Sequence, residues 1–396
     1  MKRRIESEMI HGGAKDGRSY EGSLTVPIFQ TSTFSFSSAE QGERRFAAEE
    51  EGFIYSRLGN PTVRALEERM AVLEEGEKGL AFSSGMAAVS AVLTSLTKAG
   101  DHILCSNGLY GCTFGLLQWL NEKYQITHSF SSMESETSLR ESLAERTPAC
   151  IFIETPVNPT MKVLNLKMVA KVARELGIPV IVDNTFCSPY LQQPLSLGCD
   201  VVVHSATKYI SGHGDVVAGL VIGKEDYMTL LAKREQKDVG GVLSPFDAWL
   251  LLRGVKTLHV RMEGHCQSAK WLADKLKNHP KVENIYYPGS RDEEEKNIVE
   301  QQMRLAGGVL SFDIKGTKAH AQKMMNELKM IKIAVSLGDA ETLIQHPATM
   351  THAVIPAERR QQMGITDTML RLSVGLEAVE DIWDDLKQAL EWEDLS

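Results

Sequence analysis

Short apolar runs alternate with stretches of helical periodicity between residues 62 and 205, and this alternation constrains the fold more than any other feature. The apolar runs are 79–82, 102–105, 150–155, 179–183 and 201–205, and the helical stretches are 63–73, 85–96, 110–120 and 166–176. Strands that lack polar alternation are covered on both faces, which is typical of parallel sheets. Right-handed strand–helix–strand units join such strands. The sequence therefore predicts an α/β fold built on a mostly parallel sheet.

The pattern changes on either side of this region. Residues 1–58 lack sustained periodicity, and we expect an extended N-terminal arm that packs on the same or a neighbouring subunit. Beyond residue 260, apolar residues between 262 and 276 share one helix face, and the run 310–315 alternates like a strand with one solvent-exposed face. We therefore predict an arm (1–58), an α/β domain (59–260) and a smaller C-terminal α+β domain (261–396).

Composition limits the partners. The 396 residues carry a formal charge of −9 and no run of lysine or arginine, which argues against nucleic acid. The six cysteines form no CxxC pair, and Cys105, Cys150 and Cys199 lie in or beside apolar runs, where reduced thiols are common. No signal peptide or bilayer-spanning segment is expected. The predicted location is the cytoplasm, without membrane or nucleic-acid partners.

Lys208 follows a buried β-branched strand, beyond Ser205 and Thr207. A lysine at the end of a buried strand either pairs with an anion or loses its proton. An unprotonated amine can attack the carbonyl of an aldehyde and hold it covalently. The two hydroxyls could bind a phosphate. An aldehyde together with a phosphate describes pyridoxal 5′-phosphate (PLP), and a solvated lysine at the strand end is the alternative.

Further candidates lie at the ends of other predicted elements. Asp183 ends a strand and could pair with a pyridinium N–H, or be an ordinary turn residue. Gly85 follows Ser84 at a helix start, where free N–H groups could bind phosphate, although a simple serine cap is equally consistent. Arg371 is a lone charge in an apolar strand, suited either to a substrate carboxylate or to a structural ion pair.

Tyr110 and Cys112 open a predicted helix just after a strand. A tyrosine there could stack on a flat ring and exchange protons. A thiol at a helix start tends toward thiolate character. Both residues could equally be packing contacts.

Other chemistries match the sequence less well. Residues 205–208 fit the S-x-x-K serine-acylase pattern, but its companion motifs S-D-N and K-T-G do not occur. His204, His213 and Asp215 lack metal-ligand spacing, so no metal is expected. The segment 212–214 lacks the third glycine of a dinucleotide loop.

Several ordered segments together resemble the Cys/Met-metabolism family of fold-type I PLP enzymes, and the resemblance covers nearly the whole chain. The matching segments are 55–57, 84–86, 109–111, 154–159, 182–185, 205–209, 253–258 and 336–338. The resemblance implies the fold-type I PLP transferase arrangement, with a mostly parallel large domain, a smaller C-terminal α+β domain and an extended N-terminal arm.

The resemblance also implies roles for individual residues. Lys208 would hold the cofactor and move protons, Asp183 would hold the pyridinium nitrogen, and Tyr110 would stack on the ring and act as an acid and base. The implied phosphate ligands are Gly85, Met86, Ser205 and Thr207, with Tyr55 and Arg57 supplied by a neighbouring subunit. The implied carboxylate ligands are Arg371, Ser336 and Asn158, and the implied specificity residues are Cys112, Lys237 and Asp238. We therefore expect a homotetramer, or a dimer, with shared active sites.

Three features favour the members of this family that cleave methionine: Cys112 after Tyr110, the loop 212–215, and Val335. Members that handle cystathionine typically carry glutamate at the position of Val335, where it can receive the charged distal amino group, whereas valine suits an uncharged S-methyl group. The expected reaction is γ-elimination of L-methionine to methanethiol, 2-oxobutanoate and ammonia, with homocysteine as a second substrate. The alternatives are an enzyme that makes or cleaves cystathionine, a sulfhydrylase acting on an activated homoserine, and a non-catalytic PLP-binding protein.

Overall fold

The structure is a computed structural model, which describes residues 3–13 and 22–391. Its helices in chain order are α1 (Ile5–His11), α2 (Ala39–Phe46), α3 (Pro61–Leu73), α4 (Gly85–Leu96), α5 (Gly111–Tyr124), α6 (Glu136–Glu145), α7 (Leu166–Glu175), α8 (Ser188–Leu191), α9 (Glu225–Leu231), α10 (Pro245–Val255), α11 (Leu258–Lys277), α12 (Glu293–Gln302), α13 (Lys318–Asn326), α14 (Ala357–Gln362) and α15 (Val379–Leu390). A π-helical segment continues α9 (Ala232–Val239), and a short 3₁₀ turn follows the eleventh strand (Pro347–Thr349). None of these helices is long and apolar enough to cross a membrane.

The larger sheet has seven strands in the order β1-β7-β6-β5-β4-β2-β3. They are β1 (Lys78–Phe82), β2 (His102–Ser106), β3 (Thr127–Ser131), β4 (Cys150–Glu154), β5 (Val180–Asp183), β6 (Val201–Ser205) and β7 (Gly219–Gly223). The strand β7 runs antiparallel to both of its neighbours, and the other pairs are parallel. The expected mostly parallel sheet is confirmed, with an antiparallel strand that the alternation does not predict.

Both faces of this sheet are covered, as the continuously apolar strands require. On β4, Phe152 packs in a core cluster that also holds residues of α4 and α5. The neighbouring Ile151 and Ile153 point the other way, into a cluster with residues of α6 and α7. Successive side chains of a strand face opposite sides, so a strand between two helix layers needs apolar residues on both faces.

The smaller sheet has the order β10-β11-β12-β9-β8. Its strands are β8 (Val282–Tyr286), β9 (Val309–Ile314), β10 (Lys332–Ile333), β11 (Leu343–Gln345) and β12 (Met369–Ser373). The expectation of one solvent-exposed face for 310–315 is wrong, because every residue of β9 is buried. Its buried polar side chains form hydrogen bonds inside the protein instead of with water. Ser311 Oγ donates to the Pro159 carbonyl at 2.7 Å, and Asp313 accepts from Tyr286 Oη at 2.7 Å.

The long helix α11 links the two sheets. Leu258 and Met262, in its first half, belong to a core cluster with residues of α3 and α10, whereas Leu272 and Leu276 pack with residues of β9 and β12. The larger mostly parallel unit and the smaller C-terminal unit therefore share one continuous element. The boundaries that we place at residues 58/59 and 260/261 remain predictions.

Part of the N-terminal arm packs on its own chain. Met9 is fully buried, and the guanidinium of Arg69 in α3 donates to the carbonyls of Met9 (2.8 Å) and Gly12 (2.6 Å). Farther along, Phe46 and Tyr55 are among the large apolar side chains that remain exposed. The arm thus adheres to the α3 face at its start and leaves apolar surface uncovered near its end.

Candidate functional site

A cavity of about 280 Å³ lies where β4, β5 and β6 end, between the larger sheet and loops of the smaller one. In open α/β sheets ligands bind beyond the carboxyl ends of the strands. Most of the residues that we predict for the site line this cavity, namely Gly85, Met86, Tyr110, Asn158, Asp183, Ser205, Thr207, Lys208, Val335, Ser336 and Arg371. Residues separated by up to 286 positions in sequence are thereby brought to one place.

One end of the cavity is formed by the start of α4. Ser84 caps the helix, its Oγ accepting from the Ala87 N–H at 3.0 Å, so the simple cap interpretation of this serine is confirmed. Gly85 approaches β6 so closely that a Cβ atom on it would lie 2.8 Å from the Ser205 Cβ. Free N–H groups at a helix start, beside a serine hydroxyl, form a cradle suited to a phosphate. Thr207 lies beside them, with its Oγ1 accepting from the Ala218 N–H at 3.0 Å.

Asp183 lies in the same cavity, at the end of β5. Its Oδ1 accepts from both the N–H (3.0 Å) and the hydroxyl of Thr185, whose hydroxyl in turn accepts from the Ser205 N–H at 2.8 Å. Burial raises the pKa of Asp183, and the hydrogen bonds from Thr185 counteract the rise. Among the described residues no lysine or arginine pairs with this carboxylate. It is therefore available to a cation such as a pyridinium N–H.

Lys208 is partly buried in the cavity wall rather than solvated. Its Nζ donates to the Ser336 Oγ at 2.9 Å. Burial lowers the pKa of Lys208 to about 8, and the positive charge of Arg371 adds to the effect. The amine is thus partly unprotonated near neutral pH, which is what covalent attachment of an aldehyde requires.

Arg371, on β12, is only 3% exposed. Its guanidinium donates to the Asn158 Oδ1 at 3.1 Å and to the Ser336 carbonyl at 2.6 Å. In the described part of the chain no carboxylate forms an ion pair with it, so the alternative of a structural ion pair finds no support there. A buried, oriented guanidinium without a counter-ion suits a ligand carboxylate.

Tyr110 lines the cavity with 40% of its surface exposed, directly before α5. Its backbone N–H donates to both side-chain oxygens of Glu154, each at 2.9 Å. Burial raises the pKa of Tyr110 to about 12, and a hydrogen bond with Cys112 adds to the rise. The phenol therefore keeps its proton near neutral pH and can act as an acid.

Five of the predicted site residues do not line this cavity: Cys112, Tyr55, Arg57, Lys237 and Asp238. Cys112 is exposed at the start of α5. Arg57 donates to the carbonyl of Lys237, and its guanidinium lies 5.8 Å from the Tyr55 ring centroid. The roles of Tyr55 and Arg57 in a site shared between subunits stay predictions. So do the roles of Cys112, Lys237 and Asp238 in substrate specificity.

Several residues that line the cavity were not predicted from the sequence, among them Glu154, Thr185 and Phe186. A signal for Glu154 was present, because it ends the apolar strand β4 as Asp183 ends β5. Thr185 follows Asp183 by two residues, the spacing at which an aspartate side chain accepts from a nearby backbone N–H. Phe186 gave no comparable signal.

The cavity fits PLP by three independent features. It has a cradle for a phosphate that a Cβ at Gly85 would fill, an unpaired carboxylate at Asp183 for the ring nitrogen, and an amine of lowered pKa at Lys208 for the aldehyde. These donors and acceptors correspond to the phosphate, pyridine nitrogen and aldehyde of PLP.

Comparisons with known proteins agree with this assignment. The family model of Cys/Met metabolism PLP-dependent enzymes matches residues 6–391. The L-methionine gamma-lyase of Fusobacterium nucleatum subsp. nucleatum is 48% identical over 96% of each chain, and the cystathionine gamma-lyase of Bacillus subtilis is 44% identical over 97% of this chain and 98% of the relative. The crystal structure of cystathionine gamma synthase from Xanthomonas oryzae pv. oryzae superposes with a TM-score of 0.92 at 36% identity, over 98% of both chains. The chain therefore belongs to the Cys/Met metabolism family of PLP-dependent enzymes and has their fold-type I arrangement.

Proposed function

We propose that this chain catalyses the γ-elimination of L-methionine, in which methionine and water give methanethiol, 2-oxobutanoate and ammonia. Homocysteine, which would release hydrogen sulfide instead, is the proposed second substrate. The observation that carries the proposal is the convergence of Lys208, Tyr110 and Arg371 on one cavity whose wall includes the uncharged Val335. The relatives named L-methionine gamma-lyase support the same assignment, at up to 48% identity.

Bound PLP would supply an electron sink for the electron pairs released at Cα and then Cβ of the amino acid. The residues proposed to hold its phosphate are Gly85, Met86, Ser205 and Thr207. Asp183 is proposed to hold the ring nitrogen in its protonated form, because a buried carboxylate without a cation partner stabilises a positive charge next to it. Tyr110 is proposed to stack on the ring.

Arg371 is proposed to bind the substrate carboxylate, with Asn158 and Ser336 orienting the guanidinium. Ser336 also accepts a hydrogen bond from the Lys208 amine, so the carboxylate site and the lysine are neighbours. A lysine whose pKa is about 8 can accept a proton near neutral pH. We therefore assign the transfer of the Cα proton, and then of a Cβ proton, to Lys208.

Tyr110 is proposed to donate a proton to the departing sulfur. Its pKa of about 12 leaves the phenol protonated throughout the neutral range, which suits an acid rather than a base in the resting enzyme. Cys112, whose thiol hydrogen-bonds with this phenol, would influence specificity for sulfur substrates through Tyr110.

Val335 is the proposed determinant of methionine over cystathionine. Its side chain lines the cavity and is 57% exposed. An apolar surface accepts an S-methyl group at no electrostatic cost, whereas the charged distal amino group of cystathionine would lose solvation there without gaining a counter-ion. Cleavage of cystathionine is the second candidate, and the relative from Bacillus subtilis favours it.

A product assay on purified holoenzyme separates these activities. Methanethiol and 2-oxobutanoate should form from L-methionine faster than 2-oxobutanoate or pyruvate forms from cystathionine. The opposite order would replace the proposal by the cystathionine assignment. Binding of PLP without turnover of any sulfur amino acid would support a non-catalytic protein instead, and Lys208→Ala provides the inactive control.

We also propose that the chain assembles as a homotetramer in the cytoplasm. The exposed Tyr55, and Arg57 beside it, support an arm that completes a neighbour's phosphate site. The six cysteines, all unpaired in the structure, support a reducing compartment.

A further inference from the structure

Glu154 ends β4 directly beside Asp183, the last residue of β5. The two residues are paired in the parallel register of these strands, and both side chains line the cavity. Glu154 is only 6% exposed. The proposed function gives a role to Asp183 and none to this second carboxyl group.

The side chain of Glu154 binds the backbone of Tyr110, the residue directly before α5. Both of its carboxyl oxygens lie 2.9 Å from the backbone nitrogen of Tyr110, which donates to them. Tyr110 precedes Gly111, the first residue of α5, and its own side chain makes no capping bond there. Glu154 is itself anchored at its backbone, since its N–H donates to the Ser106 Oγ of β2 at 3.2 Å. The backbone of Tyr110 is thus bound to the carboxyl end of β4, an interior strand of the larger sheet.

The surroundings of Glu154 do not favour a negative charge. Burial raises its pKa well above the usual range, and the neighbouring Asp183 raises it further. The hydrogen bonds from the Tyr110 N–H and from the Thr113 hydroxyl lower this pKa and counteract part of the rise. Across residues 3–13 and 22–391 no lysine or arginine pairs with either carboxyl group.

Asp183 is the better site for a single negative charge. It accepts two hydrogen bonds from Thr185, and His204 also favours its charged form. Two buried carboxylates side by side repel each other, so one of the two keeps its proton. One ring nitrogen needs one negative charge, which leaves Glu154 as the neutral member.

We propose that Glu154 is a positioning residue, which holds Tyr110 in place for proton donation to the leaving group through its contact with the Tyr110 N–H, and which does so as a neutral carboxylic acid. The inference rests on the proposed function, because the effect on the reaction passes through Tyr110. The length of the Glu154 side chain, and not its charge, is then the property that holds Tyr110 in position.

Two variants separate the effect of side-chain length from the effect of charge at Glu154. Glu154→Gln keeps the length of the side chain and an acceptor oxygen but cannot ionise. Glu154→Asp keeps the carboxyl group but withdraws it from the Tyr110 N–H by one methylene. Glu122→Gln removes an exposed carboxylate from the same helix α5 and is the matched control.

Three measurements on the holoenzymes test the proposal. Glu154→Gln should keep kcat for methionine within about threefold and leave the pH profile of kcat/KM unchanged, whereas Glu154→Asp should lower kcat by about 10²-fold with KM nearly constant. Amide exchange of the peptide that contains Tyr110 should be about tenfold faster in Glu154→Asp than in wild type, Glu154→Gln or the control. The loss in Glu154→Asp should shrink with O-acetylhomoserine, whose acetate leaves without needing a proton.

Each departure from this pattern overturns the proposal. Equal losses in the two variants, a shifted pH profile in Glu154→Gln, or unchanged amide exchange in Glu154→Asp would each contradict it. The amide-exchange measurement does not depend on turnover, so it decides the contact with Tyr110 even if a variant is inactive. A wild-type enzyme that cleaves no methionine would contradict the proposed function. If the wild type is active and Glu154→Asp has the same kcat, only the role of Glu154 is contradicted.

Discussion

Ser336 contacts Lys208 through its side chain and Arg371 through its backbone. Its Oγ accepts from the Lys208 amine at 2.9 Å, and its carbonyl accepts from the Arg371 guanidinium at 2.6 Å. Its φ of 110° lies in the region that favours glycine, so the surrounding structure imposes a strained backbone here. The loop between β10 and β11 thereby fixes the distance between the proposed proton-transferring amine and the proposed carboxylate ligand.

Attachment of PLP to the apoenzyme should depend on pH through Lys208. The neutral amine is the attacking form, and its pKa of about 8, instead of the usual 10.5, places the change near physiological pH. We expect the second-order rate of attachment, followed by absorbance, to rise with pH and to level off above about 8. Arg371→Gln removes a charge that lowers this pKa, so its profile should move to higher pH. A profile of Arg371→Gln that is unmoved or shifted to lower pH would contradict this electrostatic coupling.

Gly85→Ala should weaken cofactor binding. A Cβ at this position would lie 2.8 Å from the Ser205 Cβ, so the start of α4 must move away from β6 and the phosphate cradle must widen. We expect the dissociation constant of PLP to rise by at least about tenfold. The matched control is Gly115→Ala, a position in α5 with open space around it, where alanine should leave PLP affinity unchanged and stabilise the protein by about 1 kcal/mol. Equal affinities in the two variants would contradict the cradle.

Arg371→Lys should impair substrate binding more than catalysis. A lysine keeps the charge but lacks the planar fork that donates to Asn158 and Ser336 while facing a carboxylate. We expect KM for methionine to rise by roughly 10- to 100-fold while PLP affinity stays within about twofold. Steady-state kinetics and cofactor titration check both values. A normal KM would mean that the carboxylate binds elsewhere.

The sequence predicts five of the seven strands of the larger sheet, because periodicity and local caps act over short distances, but it predicts neither β3 nor β7. The predicted helix 85–96 coincides with α4, whose start is set by the Ser84 cap. The solvent-exposed face predicted for β9 is wrong because Asp313 is hydrogen-bonded inside the protein. It accepts from Asn284 and Tyr286, which lie on a different strand, β8. Alternation alone cannot distinguish a polar residue in water from one that is hydrogen-bonded inside the protein.

The candidate site was predictable where a residue type alone signals the chemistry, as with Lys208, Asp183 and Arg371 at strand ends or inside apolar strands. The position of Glu154 at a strand end was also visible in the sequence, but its pairing with Asp183 was not, because that pairing depends on the register of β4 and β5. The structure of a single chain cannot test the role of Arg57, since its predicted partner is the phosphate of the cofactor in a neighbouring subunit.

Val335→Glu should shift specificity from methionine toward cystathionine. The new carboxylate would face the cavity, where it can receive the distal amino group of cystathionine but gives nothing to an S-methyl group. We expect the ratio of kcat/KM for cystathionine to that for methionine to rise by at least about tenfold. Val335→Gln, of the same size but uncharged, is the control and should change this ratio little. An equal change in both variants would assign the effect to side-chain size instead of charge.

Mixing two inactive variants should restore activity if the active site is shared. Arg57→Ala removes the residue that we propose each subunit lends to its neighbour, and Lys208→Ala removes the residue that each subunit keeps in its own cavity. In a mixed dimer one site receives Lys208 from one chain and Arg57 from the other and is intact, while the second site lacks both. Because random pairing makes half of the dimers mixed, unfolding and refolding the two variants together at equal amounts should give about a quarter of the wild-type activity. Activity no higher than the sum of the separate variants would place Arg57 outside a shared site, and the same variants refolded separately provide the control.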